Sequence, residues 1–147
     1  MKITPGKIAG MKAVSTDRGT IAAAAMDQRG SLKKALGAAK GNDATDAMMQ
    51  EFKSIVTEVL TPHASAVLLD PQWGIEPSKA RSSNAGLLLA YEESGYDNTR
   101  PGRLPDLLPL WSVRRLKAAG ANCIKVLIHY TPFDTKNVND EKHAFVE

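Results

Sequence analysis

Short apolar runs alternate along this chain with longer stretches whose apolar positions recur at helical spacing. Residues 20–26 (TIAAAAM) lie between Gly19 and the polar residues 27–30. The alanines leave a helix open on propensity, but the short length and flanking glycines predict a buried strand. Residues 65–69 (SAVLL) form a second run that ends in Asp70-Pro71, and residues 86–91 (GLLLAY) a third, followed by Glu92 and Glu93. Residues 122–130 (NCIKVLIHY) form the fourth. Between the first two, Met48, Met49, Phe52, Ile55, Val56, Val59 and Leu60 recur at i, i+3, i+4 spacing. This predicts a helix over 45–60, with Asp46, Gln50, Lys53 and Glu58 on its other faces and Pro62 ending it. Asp106 is the expected N-cap of a later helix running through Ala119, with Pro109 in its first turn and Gly120 just beyond its end. A further helix is expected from Asn137, and the sequence given stops inside that pattern.

Alternating strands and helices build right-handed βαβ units, and hence an α/β fold with a parallel sheet. An open doubly wound sheet and a closed barrel are the two solutions. No GxGxxG or GxxxxGK[ST] follows any of the four runs, so a nucleotide-binding open sheet lacks its signature. A (β/α)8 barrel takes about 250 residues, so four strands in 147 residues are about half of one. Residues 1–147 are therefore expected to be a single domain, the N-terminal part of a barrel.

Composition removes several function classes. Hydrophobic residues make up 43% and charged residues 24%, which is globular rather than disordered. The net charge is only +3 and the basic residues are scattered without interleaved aromatics, so no nucleic-acid partner is expected. No apolar run approaches a membrane span or a signal-peptide core, so no membrane partner is expected. The single cysteine, Cys123, rules out a disulfide within the chain and reads as a small core residue. A cytoplasmic setting is expected.

Barrel chemistry sits at the C-terminal ends of the strands. There the chain offers Asp27, Gln28, Arg29 and Gly30 after the first run, Asp70 after the second, Glu92 and Glu93 after the third, and His129 and Tyr130 after the fourth. Lys125 is the sharpest anomaly, a lysine inside an apolar strand. Burying an ammonium is costly unless it is paired, and function exploits such sites in imine chemistry or phosphate binding. The competing reading is an edge lysine reaching to solvent. Asp27 either caps the next helix or orients a substrate hydroxyl and tunes a nearby lysine. Asp70 serves equally as a turn residue, and Glu92 and Glu93 read more readily as solvent-facing loop glutamates. Arg29, Lys79, Arg81, Arg100 and Arg103 are candidate phosphate contacts. His63, His129 and His143 lack metal-ligand spacing, so no metal is expected.

The blocks AMDQRGSLK (residues 25–33), LTPHASAVLLDPQWG (60–74), KARSSNAGLLLAYEESGYD (79–97) and RLPDLLPLWSVRRLKAAGANCIKVLIHY (103–130) resemble, in this order, the tagatose 1,6-diphosphate aldolase family of the lactose- and galactose-catabolic type. The resemblance covers nearly the whole chain. It implies a (β/α)8 barrel and a class I aldolase. The implied reaction is reversible cleavage of D-tagatose 1,6-bisphosphate to dihydroxyacetone phosphate and glyceraldehyde 3-phosphate, with neither metal nor cofactor. Asp27 and Gln28 match active-site positions after strand one. Lys125 matches a strand-four lysine that assists catalysis near the substrate. Asp27 and Lys125 are thus the expected catalytic residues, and Gln28, Arg29 and Asp70 the expected substrate-binding residues, for a small sugar phosphate. The family's imine-forming lysine lies on about the sixth strand and its acid/base glutamate on about the fifth, beyond residue 147. The chain is therefore expected to be a fragment of a longer protein, with its oligomeric state, a homo-oligomer included, left open.

Four alternatives stand beside this reading: Lys125 as the imine-forming residue itself; an aldolase for a related ketose phosphate or sulfosugar phosphate; a sugar-phosphate-binding regulator without turnover; and an inert truncation product.

Overall fold

A computed structural model describes residues 3–95, 99 and 101–147. The described helices are α1 (Pro5–Ala13), α2 (Gly30–Lys40), α3 (Asp46–Leu60), α4 (Val113–Ala118) and α5 (Lys136–Val146). The strands are β1 (Ala23–Met26), β2 (Ala66–Leu69), β3 (Gly86–Ala90) and β4 (Cys123–Lys125), all parallel and ordered β1-β2-β3-β4. The four expected strands are present in the expected order. β1 begins three residues later than the run that predicted it, leaving Ile21 exposed.

Register divides the sheet into two faces. Met26, Leu69, Leu89 and Ile124 form one row of partners. This row and its neighbours Val67 and Leu87 pack against Leu116 of α4 to make the main core. Burying each such side chain contributes about 1.5–3 kcal/mol. The adjacent row, Ala25, Leu68, Leu88 and Cys123, turns the other way and is half-buried to exposed. At the N-terminal end of this second face lies the end of α1. The Ser65 hydroxyl donates to the Val14 carbonyl at 2.7 Å. Gly86 admits the chain there, because a Cβ on it would stand 2.2 Å from the Ala13 carbonyl oxygen.

Two expected helices differ from their predicted form. On α3, Thr45 accepts from the Met48 amide as N-cap, and the helix ends before Pro62 as expected. The line that faces inward, however, is Met49, Lys53 and Thr57, while Ile55, Val59 and Leu60 are exposed. Lys53 is thus on the buried face, not among the outward polar positions.

The second correction concerns Asp106. It does not cap a helix: residues 106–108 run antiparallel to the chain just past β3. Glu93 N donates to Asp106 O (2.8 Å), and Leu108 N to Tyr91 O (2.9 Å). The α4 helix starts only after Ser112, whose hydroxyl accepts from Arg115 N at 3.2 Å.

The same pairing explains why β4 stops at Lys125 rather than at Tyr130. Tyr91 N donates to Lys125 O at 3.0 Å, and beyond that point the β3 side turns to residues 106–108 instead.

Candidate active site

Past the last ladder partners, Met26 and Leu69, the C-terminal ends of the strands carry polar side chains toward one another. Lys125, the last residue of β4, donates from Nζ to Asp27 Oδ2 at 2.9 Å and to Glu92 Oε1 in a close ion pair. One ammonium is therefore held between two carboxylates from the ends of β1 and β3. All three side chains are largely withdrawn from solvent, Glu92 the most so at 6% exposed. Burial works against the Lys125 charge, but the hydrogen bonds and charges of Glu92 and Asp27 outweigh it, holding the lysine above its usual pKa.

Arg29 closes the other side of the cluster. Its Nη2 donates to the Glu92 backbone carbonyl at 2.6 Å. Glu92 Oε2 and Arg29 Nε are buried with no hydrogen-bond partner, the kind of unmet polar group that native structures keep for a reason. A hollow of about 360 Å³ opens beside them, lined among others by Asp27, Gln28, Arg29, Glu92, Glu93 and Lys125.

The structure thus gathers Asp27, Gln28, Arg29 and Lys125 at one end of the sheet. Asp27 does not cap α2, whose N-cap is Arg29 without a side-chain bond. Asp70 is not brought to the hollow. Its carboxylate is fully buried, paired with Lys53 through Oδ2 and accepting from Trp73 N through Oδ1 at 2.9 Å. The expectation that Asp70 contacts substrate is revised accordingly. His129 and Tyr130 line a separate hollow with Arg103 and Lys142. Lys79 is paired with Glu76, and Arg81 donates to the carbonyls of Ser78 and Ala85. Arg100, with Tyr96 and Asp97 of the third family block, lies outside the described residues. Cys123 is half-buried on β4, and desolvation pushes its thiol pKa up, as suits an inert thiol. Among the described residues no cluster of His, Cys, Asp and Glu has the arrangement of a metal site, and no helix is long and apolar enough to cross a membrane.

Two residues of this region matter more than the sequence suggested. Glu92 looked like a loop glutamate. Its signal was its place two residues beyond Ala90, on the same strand face as the residue that pairs with Lys125. Lys53 gave no signal beyond sharing a helix face with Met49.

A cation fixed between carboxylates at the C-terminal mouth of a parallel sheet suits polarising or protonating a bound oxygen. Comparison with known proteins decides the family. A family model described as DeoC/LacD family aldolase matches residues 21–147. The chain belongs to the DeoC/LacD aldolase family. Its fold is accordingly the α/β (β/α)8 barrel, of which these four strands are about half.

Within this aldolase family, the chain is 52% identical to tagatose 1,6-diphosphate aldolase 2 of Enterococcus faecalis, covering 100% of this chain and 44% of that protein. It is 46% identical to tagatose 1,6-diphosphate aldolase of Listeria monocytogenes serovar 1/2a, over 100% of this chain and 43% of the relative. It is also 46% identical to tagatose 1,6-diphosphate aldolase 2 of Streptococcus pyogenes serotype M3, over 99% and 44%. The chain thus spans less than half the length of the curated relatives it matches.

Proposed function

We propose that residues 1–147 are a single domain, the N-terminal part of an aldolase barrel, and that the whole protein is a class I aldolase. It reversibly cleaves D-tagatose 1,6-bisphosphate to dihydroxyacetone phosphate and glyceraldehyde 3-phosphate, in the cytoplasm and in the service of lactose and galactose breakdown. The substrate reading is supported by the named activity of relatives at 46–52% identity. The observation that carries the mechanism is the Lys125 ammonium held between Asp27 and Glu92.

A lysine amine on a later strand attacks the ketose carbonyl, water leaves, and an iminium forms. A base takes the proton from the hydroxyl at C4, the C3–C4 bond breaks, and its electron pair passes into the iminium as an enamine. Glyceraldehyde 3-phosphate departs. The enamine is then protonated at C3, and hydrolysis releases dihydroxyacetone phosphate.

A nucleophilic lysine needs a depressed pKa, whereas Lys125 has two carboxylates raising its own. This favours Lys125 as a protonated group that steadies developing oxygen charge and helps keep the true nucleophile neutral. Asp27 orients a substrate hydroxyl and holds Lys125, while Gln28 and Arg29 contact the sugar phosphate from the rim of the hollow.

The test is a coupled aldolase assay on the whole protein and on its Asp27→Asn variant. Cleavage of tagatose 1,6-bisphosphate that falls strongly in the variant supports the proposal. No cleavage by the whole protein, or an unaffected variant, contradicts it.

A further inference from the structure

Lys53 lies on the sheet side of α3 with its side chain fully withdrawn from solvent. Its Nζ has three acceptors: the Met26 carbonyl at 2.8 Å, the Gln28 carbonyl at 2.9 Å and the carboxylate of Asp70. An ammonium has three protons, so its donor capacity is used in full. The two carbonyls belong to the residues on either side of Asp27. The β1–β2 ladder ends at the Met26–Leu69 pair. One residue further on, where no ladder bond continues, the lysine ties the chain around Asp27 to Asp70 instead.

Asp70 is itself anchored. Its Oδ1 accepts from Trp73 N, and Gly74 N donates back to Asp70 O at 2.9 Å. A Cβ on Gly74 would stand 2.4 Å from that oxygen, so the turn closes tightly.

We propose that Lys53 is a positioning residue for the aldolase reaction: by clamping the carbonyls of Met26 and Gln28, the residues before and after Asp27, to the buried Asp70, it aims the Asp27 carboxylate at Lys125. This inference rests on the functional reading above. The physical case is that a loop carboxylate after a strand end is free to turn unless the backbone of the residues on both sides of it is held. Both flanking carbonyls here are held by one buried charge. Neither Lys53 nor Asp70 lines the hollow, so the pair acts through Asp27 rather than on substrate.

The test uses the whole protein. Lys53→Met alone leaves the Asp70 carboxylate buried without its partner and endangers folding. The informative variant is Lys53→Met/Asp70→Asn, which removes both charges and keeps an acceptor for Trp73 N. It is measured beside wild type and Asp27→Asn, with thermal melting, kcat, KM and the amount of borohydride-trapped imine per subunit. The expected result is a cooperative melt and undiminished imine trapping, with KM little changed and kcat lowered about 10- to 100-fold, the scale of a misplaced catalytic group. A double variant with wild-type kcat, while Asp27→Asn is impaired, overturns the inference and leaves the functional reading intact. A double variant that fails to fold also overturns it, because the pair then holds the fold rather than the aspartate. If wild type does not cleave the sugar bisphosphate, or Asp27→Asn keeps full kcat, the functional reading fails and the inference falls with it.

Discussion

Lys125 Nζ stands 2.9 Å from Asp27 Oδ2 across 98 residues of sequence. The contact joins the two edge strands of the four-stranded sheet, because Asp27 follows β1 and Lys125 ends β4. Curvature of the sheet closes that gap, as a barrel requires.

Asp27→Asn keeps the shape of the side chain and removes its charge. In the whole protein kcat is expected to fall about 10²-fold or more, the scale of losing a positioned acid-base or electrostatic group. The melting temperature should change little, since the site lies at the edge of the core. Steady-state kinetics and thermal melting check both halves.

Glu92→Gln removes one of the two carboxylates that raise the Lys125 pKa. The raised pKa keeps the lysine protonated to higher pH than an ordinary lysine. Its contribution to stability is fully present below the unfolded-state pKa and is lost as pH rises through the raised folded value. In Glu92→Gln the folded value drops, so the alkaline limb of kcat should move to lower pH. A pH–rate profile of the two proteins measures this, and an unmoved limb would count against a protonated Lys125.

Lys53→Met alone should be far worse for stability than the double change Lys53→Met/Asp70→Asn. Breaking a buried pair by removing one partner costs about 3–5 kcal/mol, whereas removing both charges is often close to neutral. Equilibrium denaturation of the whole protein separates the two, and equal losses would contradict the pairing.

Gly86→Ala should destabilise the protein through its contact with the end of α1. The added methyl meets the Ala13 carbonyl oxygen at 2.2 Å, and β3 is held on both sides by the sheet. Overpacking of this kind costs about 1–3 kcal/mol. Denaturation again gives the measure, and an unchanged midpoint would show that α1 moves aside freely.

The strands were readable because strands of a covered parallel sheet are near-continuous apolar runs, as in VLL of β2 and LLLA of β3. Lys125 stood out for the same reason, as the polar exception in such a run. Asp27 and Gln28 were readable from where their run ended. Pairings set by tertiary structure were not readable. Asp106 looks like a helix cap, yet residues 106–108 pair with the chain after β3, and nothing local announces that. Lys53 looked like an outward polar residue, and Asp70 like either a site or a turn aspartate; the turn is present, with Trp73 N donating to its carboxylate. They come together because the Lys53 side chain of α3 reaches the chain just past β1 and the carboxylate just past β2. Glu92 was hidden in the same way, since its burial depends on Lys125 and Arg29.

In the proposed mechanism Lys125 is a protonated partner of Asp27 and Glu92 and not the imine-forming nucleophile. The direct measurement is borohydride trapping of the whole protein with tagatose 1,6-bisphosphate, followed by peptide mapping, for wild type and Lys125→Ala. A modified lysine beyond residue 147 is expected in both proteins, with kcat of the variant lowered about 10²-fold or more. Modification mapped to Lys125 in wild type, with trapping abolished in Lys125→Ala, would contradict it.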